Sequence, residues 1–213
     1  MIVRILLPDI PFENIVIDRT AHGRPFLNHS LAPSTFDMNL SHHGDFAIAA
    51  GSTVSCVGID VSMVEQSHDA TAAADFLTVF REGGMVTPNE WTYLSACDWN
   101  AWVSREHAFL RVWCVKEAYT KAMGLGVGMD FGTVEVGFQK ARQWEGRDGY
   151  VEMNEETVTV SIKGIVQEGW YFHVGYLDKF HPFALAVQEG KMMERFCGIE
   201  RVDTDTMQSS FFM

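Results

Sequence analysis

Leu110, Trp113 or Cys114, Glu117 and Lys121 recur at helical spacing, and the stretch around them, about residues 105–123, predicts the longest helix of the chain. Beyond it lie FGTVEVGF (131–138), TVTVSI (157–162), GWYFHVGY (169–176) and FALAVQ (183–188). TVEVGF and TVTVSI alternate apolar with polar, and all four runs are bounded by Gly, Asn, Asp or Pro, which predicts a β-meander. Upstream, FAIAA (46–50) and VSCVGIDV (54–61) are short apolar runs joined by Gly51-Ser52-Thr53. They predict a hairpin with Asp60 at the far end of its second strand. Residues 1–7 read as the end of a helix, and 64–108 as mixed and helical in parts. Pro88 opens a helix there, with Glu90 in a first turn that favours a carboxylate. The tail from Lys191 has no clear period, and the chain shows no internal repeat or low-complexity linker.

With 213 residues the chain fits one large domain or two small ones, and 47% hydrophobic with 21% charged residues is a globular composition. A formal net charge of −12 argues against nucleic acid as a partner, since phosphate binding needs a clustered positive footprint. It leaves room for a small basic pocket. No apolar run reaches the roughly 20 residues a membrane helix needs, and Arg4 and Pro8 break the apolar start before it can form a signal-peptide core. A cytoplasmic protein is therefore expected. Cys56, Cys97, Cys114 and Cys197 lack metal-ligand spacing and read as reduced thiols.

Four segments carry candidate chemistry. GLGVG (124–128) looks like a dinucleotide loop, but such a loop follows a strand and opens a helix. Here it closes a helix, so Gly124 reads as a C-terminal stop with Lys121 near the helix end. Glu117 and Lys121 are either an exposed i,i+4 pair worth about 0.2–0.5 kcal/mol or part of a site. RTAHGRPFL (19–27) flanks a turn with Arg19 and Arg24, which can offer guanidinium groups to phosphate or stand in a solvated loop. FDMNLSHHGDFAIAA (36–50) crowds Asn39, Ser41, His42 and His43. Ser with His fits a nucleophile–base pair or a phosphate cradle, and no GxSxG elbow supports the first. In VGIDVS (57–62), a carboxylate at the end of a buried strand needs a partner or a cation. Asp60 with Glu117 would give two hard oxygen ligands of the kind Mg²⁺ takes beside substrate phosphates.

In order, GRPFL, FDMNLSHHGDFAIAA, VGIDVS and WCVKEAYTKAMG resemble the motifs of the 4'-phosphopantetheinyl transferase superfamily. The chain looks most like its larger, pseudo-dimeric branch, the one that activates surfactin synthetase, and within it like the eukaryotic members associated with aminoadipate-semialdehyde dehydrogenase. The resemblance implies an α+β fold: two similar subdomains related by a pseudo-two-fold axis, antiparallel sheets packed with a long helix. Residues 1–63 would be the remnant of a first subdomain, 64–190 the second, and 191–213 a tail. It also implies a Mg²⁺-dependent transfer of phosphopantetheine from coenzyme A to a serine of an acyl or peptidyl carrier protein, by a cytoplasmic monomer that binds neither nucleic acid nor membrane, with lysine biosynthesis among the pathways served.

By the same resemblance Asp60 and Glu117 are metal ligands, and Lys121, Ser41 and His42 contact coenzyme A together with Asn39 and Leu40. The segment Arg19, Thr20, Ala21, His22, Gly23 and Arg24 lies on the nucleotide side. Glu117 and Lys121 are expected to be catalytic, and Glu90 matches a glutamate proposed as base in bacterial relatives, against its plainer reading as a first-turn acid. Ser62 stands where many bacterial members have a second acid, and His43 where relatives often have Ser or Gln. Relatives of this size class carry a substantial segment before the position of Met1, so a truncated first half is expected. The competing expectations are a non-catalytic module that binds coenzyme A or a carrier protein, and, more distantly, a hydrolase built on Ser41 and His42.

Overall fold

A computed structural model describes residues 2–64, 77–96, 105–125, 128–139, 152–154 and 157–188. Helix α1 (Ile2–Leu6) precedes strands β1 (Ile17–Arg19), β2 (Pro25–Leu27), β3 (Asp37–His43), β4 (Phe46–Ser52) and β5 (Val57–Val61). Residues 77–82 are helical (α2) and are followed by α3 (Pro88–Ala96) and α4 (Arg105–Met123). Strands β6 (Val134–Gln139), β7 (Glu152–Asn154), β8 (Thr157–Ile162), β9 (Ile165–Val166), β10 (Trp170–Tyr176) and β11 (Pro182–Gln188) complete an α+β fold in which every strand pair is antiparallel.

The long helix forms over the residues its stripe predicts. It ends in a Schellman motif: Gly124 takes φ +68°, its N–H donates to Lys121 O (3.1 Å), and Leu125 N–H donates to Thr120 O (3.3 Å). Gly126 and Val127 of the glycine run lie outside the described residues, as do Cys97, Cys197 and the tail from Lys191. Of the remaining cysteines, Cys114 is buried and Cys56 exposed, and both are free thiols.

Strand pairing departs from the expectation in two places. The strand at 46–50 pairs backward with β3 across a tight Gly44-Asp45 turn, not forward with 57–61. Gly44 at φ +54° supplies the left-handed residue that such a turn needs. β5 instead pairs with β11, far along the chain, giving the order β5-β11-β10-β7. The expected meander accordingly divides: β6, β8 and β9 form one sheet, while β10 and β11 belong with β5. All five residues of β5 are buried, which is why VGIDV reads as a continuous apolar run instead of an alternating one.

Helix α4 is covered on more than one side. Val112, Val115, Ala118, Tyr119 and Ala122 pack with Val134, Val136, Val158, Val160, Phe172, Val174, Ala184 and Ala186 of the sheets. Ala108, Phe109 and Leu110 pack with Leu77, Val86 and Leu94. Each fully buried side chain of this size contributes about 1.5–3 kcal/mol, so helix position is set by core burial more than by propensity. Contact with β5 is closest at Gly58, where a Cβ would lie 1.9 Å from Ala118 O. Only glycine lets helix and strand backbones meet there.

Candidate active site

One side of α4, from Glu106 to Lys121, lines a cavity of about 530 Å³ together with the ends of β3 and β5 and Phe80 of α2. Its polar wall holds Ser41, His42, His43, Asp60, Ser62, Glu106, Glu117 and Lys121, and its apolar wall Leu40, Val61, Met63, Phe80, Phe109, Leu110 and Trp113. Residues far apart in sequence meet because Asp60 and Gly58 share one face of β5, and that face rests on the helix turn carrying Glu117 and Lys121.

Lys121 Nζ donates to Asp60 Oδ1 (2.6 Å), Ser41 Oγ (3.0 Å) and Ile59 O (3.3 Å). Ser41 in turn donates to Asp60 Oδ1 (2.9 Å). Asp60 is nearly buried, and the ammonium and hydroxyl offset the cost of removing its charge from water. Glu117 is half-buried and accepts no hydrogen bond among the described residues. Burial, and then the negative charge of Asp60, hold its carboxyl above the ordinary glutamate range, with Lys121 pulling the other way. Burial likewise pushes the Cys114 thiol well up, so it sits under the site as a neutral side chain.

Two carboxylates, one raised first by burial and then by its acidic neighbour, offer hard oxygen donors of the kind a divalent cation takes. No group of three or more His, Cys, Asp or Glu side chains converges among the described residues, so substrate oxygens and water would have to complete the shell.

Of the site residues read from sequence, the structure brings Leu40, Ser41, His42, Asp60, Glu117 and Lys121 to one cavity. Asn39 is buried beside it, accepting from Ile59 N–H (3.2 Å). The Arg19–Arg24 segment forms the β1–β2 turn and does not line the cavity. Arg19 donates to Gly23 O (2.8 Å), and Thr20 Oγ1 accepts from Arg24 N–H (3.1 Å), which leaves Ala21 and His22 exposed at the tip. The Arg24 guanidinium makes three hydrogen bonds, to Asp37, Ala122 O (3.1 Å) and Val57 O (2.9 Å), where it caps the C-terminus of α4.

Glu90 is not at the cavity either. TPNE forms a capping box: Thr87 N–H donates to Glu90 Oε2 (2.9 Å) and Glu90 N–H to Thr87 Oγ1 (3.3 Å). Glu90 Oε1 accepts from Val136 N–H (2.8 Å), and Oε2 pairs with Lys116 Nζ (2.8 Å) at 1% and 0% side-chain exposure for Lys116 and Glu90. Lys116 also donates to Met85 O (2.8 Å) and Phe131 O (3.0 Å), and burial lowers its pKa while Glu90 pulls it back. The adjacent Lys116 and Glu117 therefore face different surroundings, core and cavity. The sequence reading missed the aromatic wall of Phe80, Phe109 and Trp113; the i,i+4 spacing of Phe109 and Trp113 on α4 was its only trace.

An acidic pair and an ammonium thus stand beside a hydroxyl and an imidazole, between a helix and the antiparallel strands of an α+β protein. Residues 56–181 match the 4'-phosphopantetheinyl transferase superfamily, and residues 2–54 match the N-terminal region of 4'-phosphopantetheinyl transferase. The chain belongs to this superfamily. It is 30% identical over 176 residues to a phosphopantetheinyl transferase of Thraustochytrium sp. (strain ATCC 26185 / S-3), covering 82% of this chain and 56% of the relative. It is 27% identical over 187 residues to the L-aminoadipate-semialdehyde dehydrogenase-phosphopantetheinyl transferase of Xenopus laevis, covering 84% and 56%. A 4'-phosphopantetheinyl transferase from Aneurinibacillus migulanus is 31% identical over 119 residues, covering 56% and 42%. The chain thus spans about half the length of these relatives.

Proposed function

We propose that this chain transfers the 4'-phosphopantetheine arm of coenzyme A to a serine hydroxyl of an acyl or peptidyl carrier protein. The observation that carries the reading is the meeting of Asp60, Glu117 and Lys121 at one cavity. In the reaction the serine oxygen bonds to the β-phosphorus, the bond to adenosine 3',5'-bisphosphate breaks, and the serine proton leaves. Asp60 and Glu117 would hold Mg²⁺, which supplies charge stabilisation at the diphosphate. Lys121 places further positive charge at the same oxygens, with the His42 side chain in the same cavity. Glu117, lining the same cavity, is one base candidate. The reading carries with it a cytoplasmic monomer, pseudo-two-fold halves dividing near residue 63, and coenzyme A contacts from Asn39 to His42 and from the Arg19–Arg24 turn. Relatives named for L-aminoadipate-semialdehyde dehydrogenase make a carrier domain of that kind the first partner to try. Among the described residues no helix is long and apolar enough to cross a membrane.

The test is to mix the chain with coenzyme A, Mg²⁺ and apo carrier protein and look for carrier protein heavier by one phosphopantetheine. Asp60→Ala and Glu117→Ala are each expected to cut the rate by at least ~100-fold. Rates unchanged in both variants would remove these residues from the site. One observation favours a second reading: Arg24 is held by Asp37 and two carbonyls. A chain with that arginine occupied could hold coenzyme A weakly without turnover. Calorimetric binding with no mass change in the carrier would select this module over the enzyme.

A further inference from the structure

β5 is the edge strand of its sheet, with β11 on its inner side. An edge strand leaves alternate backbone N–H groups without a strand partner. Here side chains of β3 take them. Val57 N–H donates to Asp37 Oδ2 (2.8 Å), Ile59 N–H to Asn39 Oδ1 (3.2 Å), Val61 N–H to Ser41 Oγ (3.3 Å), and Met63 N–H to His43 Nδ1 (3.2 Å). Each rung joins residues 20 apart, so donors and acceptors both advance by two. One face of β3 thereby imitates a neighbouring strand with side-chain acceptors in place of carbonyls. The third rung, Ser41, also holds Asp60 and Lys121.

We infer that this ladder sets the position of Asp60 against Glu117 and Lys121, and that Asn39, the buried second rung, is a positioning residue for the site. Core packing holds β5 on both faces, Gly58 against α4 and Val57 and Ile59 against Ala50 and Ile48, but apolar contact is non-directional. The ladder fixes how far the strand slides and tilts toward β3, and so where the Asp60 carboxylate points. As a role in transfer this rests on the reading above; as a device it does not.

The test uses the full chain. Amide exchange followed by NMR is expected to show residues 57, 59, 61 and 63 protected at least ~10-fold beyond an open strand edge. Asn39→Leu removes the acceptor at similar volume and is expected to speed exchange at Ile59 and Val61 by at least ~10-fold. Asn39→Asp offers an oxygen like the one Asp37 provides at the first rung, and protection at Ile59 is expected to stay within about threefold of wild type. Equal Ile59 exchange in Asn39→Leu and wild type would overturn the ladder. Positioning is read separately: Asp60→Asn should shift the urea midpoint less than half as far in the Asn39→Leu background as in wild type, because the Asp60 pairings are already loosened. Equal shifts in both backgrounds overturn it. A wild-type chain that neither transfers nor gains thermal stability with Mg²⁺ would sink the proposed activity, while the exchange and midpoint results still decide the ladder.

Discussion

Glu117 is the residue where function and stability pull apart. Its raised pKa means the folded chain binds that proton more tightly than the unfolded chain does. Ionising Glu117 therefore costs stability above its folded pKa, and the cost is absent well below the ordinary value of 4.5. Glu117→Gln should raise the thermal midpoint at pH 8 yet abolish any stabilisation by Mg²⁺, and the gain should fade as the pH falls through the folded pKa toward 4.5; scans with and without the ion at each pH check this. Lys116, its neighbour, has the opposite character. Lys116→Met strands the Glu90 carboxylate and should cost about 3–5 kcal/mol in urea unfolding, while a Glu90→Leu, Lys116→Met double variant should recover most of it. In the sequence, Glu117 and Lys121 were legible because helical spacing put them on one stripe and Asp60 needed a cation. Lys116 was not, since nothing local says that its partner is Glu90 across two helices. For Glu90 the sequence left two readings open, a base and a first-turn acid, and its carboxylate caps a helix and holds a lysine. The capping role of Arg24 was not legible either, because its partners Asp37, Val57 and Ala122 come from three other segments.

At the scale of elements, helix α4 was fully legible, from its stripe to its Schellman stop at Gly124. Strand β3 was not. Asp37, Asn39, Ser41 and His43 alternate with Met38, Leu40 and His42, and their polar character gives no strand signal until the amides they serve are known. The β5–β11 pair was hidden for a different reason: apolar strands announce that they pair but not with whom, and the nearest run in sequence was not the partner. Between α4 and β5, Gly58→Ala would set a Cβ 1.9 Å from Ala118 O. Helix and strand must then part, and the expected cost is about 1–3 kcal/mol of stability with a larger loss of transfer, read by urea titration and the carrier mass assay.

For the molecule as a whole, the formal net charge of −12 governs encounters more than the fold does. Carrier proteins commonly dock through an acidic helix, so a like-charged pair should meet slowly in dilute buffer. Raising the ionic strength from about 0.01 to 0.15 M shortens the Debye length from roughly 30 to 8 Å and is expected to raise kcat/KM for an acidic carrier. A rate that falls with salt would instead locate a basic docking patch. Anyone moving the Asp60, Glu117 and Lys121 group into another scaffold would copy the charged side chains first, and that copy would fail. Lys121 reaches Asp60 and Ile59 O because Gly58, two residues before the acid on the same face, has no side chain to hold the helix off. The part to transplant is a missing methyl group, with the strand and helix turn that depend on it.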